Sequence, residues 1–148
     1  MDGHATALAD AVVDALPGWV ERCVVTILTA WQPGAALPPE VLAQARAAGR
    51  QAADEVGAQV RSLLDADIDD QRHTPLALLR GAVGYPTAVL RDAGVPDVER
   101  DRIQVRLLPD DPYDLSPATF ADVDPALAEP GMVWGAAKAL AHRRRHST

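Results

Sequence analysis

Four aspartates crowd into one short stretch, Asp65, Asp67, Asp69 and Asp70, and alternate as the oxygen ligands of a calcium loop do. The rest of that motif is missing. Its sixth position, which needs glycine for the turn, is Asp70, and its twelfth, which needs a bidentate glutamate, is Leu76. The run is therefore read as a solvated hinge. His142 and His146 stand one helical turn apart, the spacing at which two imidazoles share a zinc ion, but Arg143, Arg144 and Arg145 lie between them and three cations oppose a metal. No metal site is expected there. The arginines are read as a basic tail over 142–148, able to touch an acidic partner or a phosphate.

His73 could act as a general base if Asp69 or Asp70 oriented it, yet no nucleophile accompanies it in sequence. Lys138 is the one lysine of the chain and follows Trp134 by one helical turn. A lysine in an arginine-rich chain suggests amine chemistry, because its pKa can be moved where that of arginine cannot. The simpler reading lays its stem on Trp134 with the ammonium in water. No catalytic residue is assigned. Glycine-rich phosphate loops, cysteine clusters and nucleotide fingerprints are missing from the sequence, and no cofactor is expected.

The aromatic residues are Trp19, Trp31, Trp134, Tyr85, Tyr113 and Phe120. In a chain so rich in alanine they are read first as volume fillers. A ligand pocket, if the chain has one, is expected where Tyr85, Pro86, Tyr113, Trp134 and Lys138 converge, with Arg80 or Arg91 at the rim.

Thr74 to Gly94 is the stretch expected to position these groups. Thr74 and Pro75 are an N-cap and first-turn pair, and Gly94 with Pro96 supplies the stop. At about 100° per residue, Leu76, Leu79, Val83, Pro86 and Leu90 fall on one stripe, beside Leu78, Ala82, Tyr85, Val89 and Ala93. The opposite face holds Ala77, Gly81, Gly84 and Ala88, small enough to admit a neighbouring helix. The stretch is thus expected to form one central helix, kinked at Pro86, where the missing N–H interrupts the ladder.

Around it, Leu8 to Trp31 has helical periodicity interrupted by Pro17 and Gly18, giving either two helices or one kinked helix. Pro38 and Pro39 open a helix to about Leu64 whose seam reads Leu42, Ala45, Gly49, Ala52, Val56, Val60 and Leu63. That seam is expected to face the central helix by default, and the same seam of a second subunit is the alternative, giving a homodimer. Residues 95–108 fit either a strand or a helix capped by Asp97, and helix is chosen because no partner strand is evident. An ordered loop rich in Pro and Asp is expected over 109–130, with short helical turns starting at Ser116–Pro117 and Asp124–Pro125. A last helix starts near Pro130 and places Val133 and Trp134 on its apolar side.

The chain of 148 residues suffices for one domain with a real core. Its 28 alanines and six aromatic residues favour helices packed at short range, so the expected class is all-α: a single-domain bundle of five or six helices. Thirteen arginines against one lysine are attributed to a GC-rich genome. A net charge of −7 repels phosphate backbones and anionic lipid, so neither nucleic-acid nor membrane affinity is expected. The lone Cys23 excludes an internal disulfide and fits a reducing cytosol, and the acidic first residues do not resemble a signal peptide.

The function expected from these features is a non-enzymatic, acidic, cytoplasmic interaction or regulatory protein that meets a protein partner through a helical surface. The alternative is a small-molecule-binding protein or enzyme with a pocket beside the Pro86 helix. Nucleic-acid contact through the arginine tail is the weakest reading.

Overall fold

The computed structural model describes residues 2–64, 75–107 and 110–133, with 136 and 143. Among them every regular element is helical and no strand occurs, as the alanine-rich composition requires. The elements are α1 (Asp2–Trp31), α2 (Pro39–Leu64), α3 (Pro75–Gly81), α4 (Gly84–Asp92), α5 (Arg102–Leu107) and α6 (Phe120–Val123), followed by a 3₁₀ turn (Pro125–Leu127). Helical turns continue over 128–133.

The core is organised on α1 and α2, not on the Thr74 to Gly94 stretch. Pro17 does not divide α1, which runs unbroken for 30 residues. Its buried strip is Leu8, Val12, Leu16, Val20, Val24 and Leu28. A strict repeat of four residues advances about 40° per step on a helix, so this strip winds around the rod. The first four residues consequently belong to one core cluster, with Val56, Val60, Leu79 and Leu127. Val24 and Leu28 belong to a second, with Ala45, Val89, Leu90, Val95 and Tyr113. Each fully buried Leu or Val contributes roughly 1.5–3 kcal/mol to folding.

α1 and α2 are antiparallel, joined by a turn in which Gly34 takes a positive φ of 80°. The small seam of α2 faces α1, not the Thr74 to Gly94 stretch: Ala45 and Ala52 are fully buried, and Gly49 lies directly against the Pro17 backbone. Arg46 with Glu21 (3.3 Å) and Arg61 with Asp10 (3.0 Å) join the two rods on the solvent side. Exposed pairs of this kind contribute at most about 1 kcal/mol.

The stretch expected as one kinked helix is two helices. α3 ends at Gly81, Ala82 and Val83 form a turn, and α4 begins at Gly84, so the break precedes Pro86. Pro86 instead occupies the first turn of α4, where a missing N–H leaves little unpaired. The apolar stripes do pack inward, with Leu79, Ala82, Val83, Pro86, Val89 and Leu90 all buried. The small-residue face receives no helix: Gly81, Gly84 and Ala88 are exposed.

α5 is helical but short. It starts at Arg102, and Asp101, not Asp97, accepts the Ile103 amide at 2.7 Å. The alternating residues that made this segment ambiguous remain outside the core, with Ile103 69% and Leu107 73% exposed. The Pro/Asp loop wraps the bundle through Tyr113, Val123 and Leu127. Its first helical turn starts at Thr119, not Ser116, with Thr119 and Asp122 forming a reciprocal capping box, whereas Asp124 and Pro125 do open the 3₁₀ turn. Past Pro130, Gly131 is buried against the Phe120 ring, while Met132 and Val133 are exposed.

No described helix is long and apolar enough to cross a membrane. The run from Asp65 to His73 expected as a hinge, with Thr74, Trp134, Lys138, His142, Arg144, Arg145 and His146, lies outside the described residues. Arg143 is helical and exposed.

Candidate functional site

Two features lie beside the α3–α4 break: a charged cavity and an apolar arm. The turn at Ala82–Val83 exposes Gly81 and Gly84, and a β-carbon on either would meet nothing within 4 Å. Opposite this gap lie Leu107 and the loop from Asp110 to Ser116. Between them is a cavity of about 320 Å³, lined on the helix side by Arg80, Gly81, Val83 and Gly84 and on the loop side by Leu107, Asp110, Asp111 and Ser116. That volume lies at the lower end of small-ligand sites.

Local hydrogen bonds fix both walls. Arg80 Nε donates to the Pro117 carbonyl oxygen at 3.0 Å, which holds the guanidinium at the rim. Among the described residues Arg80 has no ion-pair partner. Asp111 is 2% exposed, and its two carboxylate oxygens accept the amides of Leu115 and Ser116, each at 2.8 Å. Satisfying a buried carboxylate with backbone N–H groups is what permits its burial. Asp114 closes the loop in the left-handed region, at a φ of 55°. Asp110 beside it is exposed.

The same loop holds the apolar arm at 98–107. Tyr113 Oη donates to the Val95 carbonyl oxygen at 2.7 Å, and the Val98 amide donates to the Pro112 carbonyl oxygen at 2.9 Å. The arm is thereby strapped at its base while Val98, Ile103, Val105 and Leu107 are presented to solvent. Leu107 belongs to both features.

No protein-family model matches this chain, and no curated protein or solved structure matches it. Function is therefore argued from its own residues.

Of the site residues expected from sequence, Arg80 lines the cavity. Tyr85 and Tyr113 belong to separate core clusters. Tyr85 packs on the first core cluster, and burial raises its pKa above the usual 10.0, helped by a hydrogen bond to Glu55 and that carboxylate's charge. Tyr113 is a core residue of the second cluster; burial raises its pKa, the charge of Asp97 adds to the shift and Arg91 opposes it. Cys23 is a packing residue as expected, its thiol pushed up to about 12 by burial, with Arg22 lowering and Asp111 raising it. Among the described residues no group of three or more His, Cys, Asp or Glu side chains is placed to hold a metal ion.

Asp110, Asp111 and Ser116 were not singled out as site residues. The available signal was local: an aspartate directly before Pro112 and Tyr113 is a turn former whose carboxylate caps amides a few residues on.

Proposed function

We propose that this protein is a non-catalytic interaction protein, working in a reducing cytoplasm, that recognises a partner protein through the arm at 98–107. One observation carries this reading. Four large apolar residues, Val98 at 41%, Ile103 at 69%, Val105 at 43% and Leu107 at 73%, face solvent within one short segment. Single exposed apolar residues are ordinary on a monomer, but a concentrated group marks a contact surface. Glu99, Arg102 and Arg106 surround them as a polar rim would. The strap from Tyr113 and Pro112 supports the reading, because a contact segment ordered in advance loses less conformational entropy on binding.

The test is the double substitution Ile103→Asp with Leu107→Asp in the full chain. Both side chains are exposed, so stability should change by no more than about 0.5 kcal/mol per site. The wild type should retain a partner from its native cytosol and bind it directly once purified, and the variant should lose that binding with an unchanged thermal melt. A dimer-to-monomer change in light scattering would identify the partner as a second copy of this chain. Equal binding by wild type and variant would overturn the arm as the contact.

A further inference from the structure

The cavity beside the α3–α4 break has a charge arrangement that the apolar arm does not require, and we infer that it binds a small zwitterion carrying a carboxylate and an ammonium group. The two walls carry opposite charge. Arg80 stands on the helix wall, its Nε already committed to the Pro117 carbonyl, which leaves its terminal N–H groups for a carboxylate. Asp110 and Asp111 stand on the loop wall. Asp111 is held in place by the Leu115 and Ser116 amides, and each of its oxygens retains a further acceptor position. Asp110 makes no hydrogen bond among the described residues and is exposed.

A simple anion would gain from Arg80 but face two carboxylates. A simple cation would gain from the carboxylates but face the guanidinium. A molecule with both charges at its ends satisfies both walls, since each of its charges then meets only its opposite. Val83 and Leu107 supply apolar surface for the carbons between, and the side-chain-free edges of Gly81 and Gly84 leave room for them. The 320 Å³ volume accommodates a molecule of amino-acid size. No chemistry is assigned to the site beyond binding.

Three matched probes test this by calorimetric titration of the full chain: δ-aminovalerate, which carries both charges, valerate, which carries only the carboxylate, and pentylamine, which carries only the ammonium. The zwitterion should bind at least about tenfold more tightly than either analogue. Asp110→Asn should weaken δ-aminovalerate and pentylamine by about tenfold and, by removing a charge that repels the anion, leave valerate bound as tightly or more tightly. Arg80→Met should weaken δ-aminovalerate and valerate and, by removing a charge that repels the cation, leave pentylamine bound as tightly or more tightly. Because Arg80 also holds Pro117, the Arg80 result is read only if the melting temperature is retained; Asp110→Asn removes an exposed carboxylate and carries the test alone if it is not. Equal affinity for all three probes, tighter binding of a singly charged one, or no saturable binding in the millimolar range would overturn the proposal. Leu107 is shared with the arm, but Arg80 and Asp110 are not, and their substitutions leave Leu107 in place, so this inference and the interaction reading fail separately.

Discussion

Gly49 and Pro17 bring the backbones of α1 and α2 into direct contact: a β-carbon on Gly49 would stand 2.8 Å from the Pro17 Cα and 2.9 Å from its carbonyl oxygen. Backbone atoms cannot swing aside as a flexible side chain can. Gly49→Ala should therefore force the rods apart, at a cost of about 1–3 kcal/mol that the helix propensity of alanine, worth up to about 1 kcal/mol, does not offset. Gly81→Ala is the control, because nothing lies within 4 Å of its added methyl, and it should be neutral or stabilising by up to about 1 kcal/mol. Urea denaturation of both variants decides it. A Gly49→Ala protein as stable as wild type would show that the two rods do not depend on this contact.

Thr87 is 3% exposed, and its hydroxyl oxygen has no hydrogen-bond partner among the described residues. Desolvating an unpaired hydroxyl costs about 1–3 kcal/mol. Thr87→Val keeps the shape and removes the polar atom, so it should raise the denaturation midpoint by the equivalent of about 1 kcal/mol. A lower midpoint would mean that the hydroxyl has a partner that matters.

Asp111 lines the cavity, and Tyr113 holds the base of the arm. Asp111→Ala leaves the Leu115 and Ser116 amides without their acceptor, and should cost about 2–4 kcal/mol. Tyr113→Phe loses one buried hydrogen bond, to Val95, and should cost about 1 kcal/mol while keeping the packing. Amide exchange should quicken over 95–98 in the second variant more than in α1. Uniform quickening across the chain would argue that Tyr113 is a general packing residue and not the strap.

The Cys23 thiol has its pKa raised from 9.0 to about 12, so its neutral form is favoured by folding. The stability this provides is complete below pH 9.0 and is lost as the pH climbs toward about 12. Tyr85 and Tyr113, also raised, act in the same direction above 10.0. Below pH 9 the folded protein should alkylate far more slowly than the same chain in denaturant, and Cys23→Ala should flatten part of the alkaline loss. Fast alkylation under native conditions would place the thiol at the surface.

The helical class, the bounds of α2 and the cap at Asp124 were legible because each rests on local chemistry: alanine content, Pro38 with Pro39, and an aspartate before a proline. The break at Ala82–Val83 was not. Apolar periodicity runs straight through it, and only the packing of both arms against α1 and α2 decides where the ladder opens. The centre of the core was misplaced for a related reason, since Pro17 suggested an interruption that the tight contact with Gly49 overrides. Arg80, expected at the rim of an aromatic pocket, lines a different cavity, whose acidic residues sit in a loop shaped by Tyr113 reaching a backbone carbonyl 18 positions away. Spacing along the chain carries no record of such a bond. Of the aromatic convergence, Tyr85 and Tyr113 fall in separate clusters, while Trp134 and Lys138 lie outside the described residues.

Pro17 has no amide hydrogen, so the Val13 carbonyl loses the donor that the α1 ladder would give it. The long first rod is in that sense two lengths of rope lying end to end, and α2 is the splint laid across the joint. Fraying that starts at either end of the rod should halt at this seam for as long as the splint holds, and loosening α2 should let the two lengths melt in separate steps.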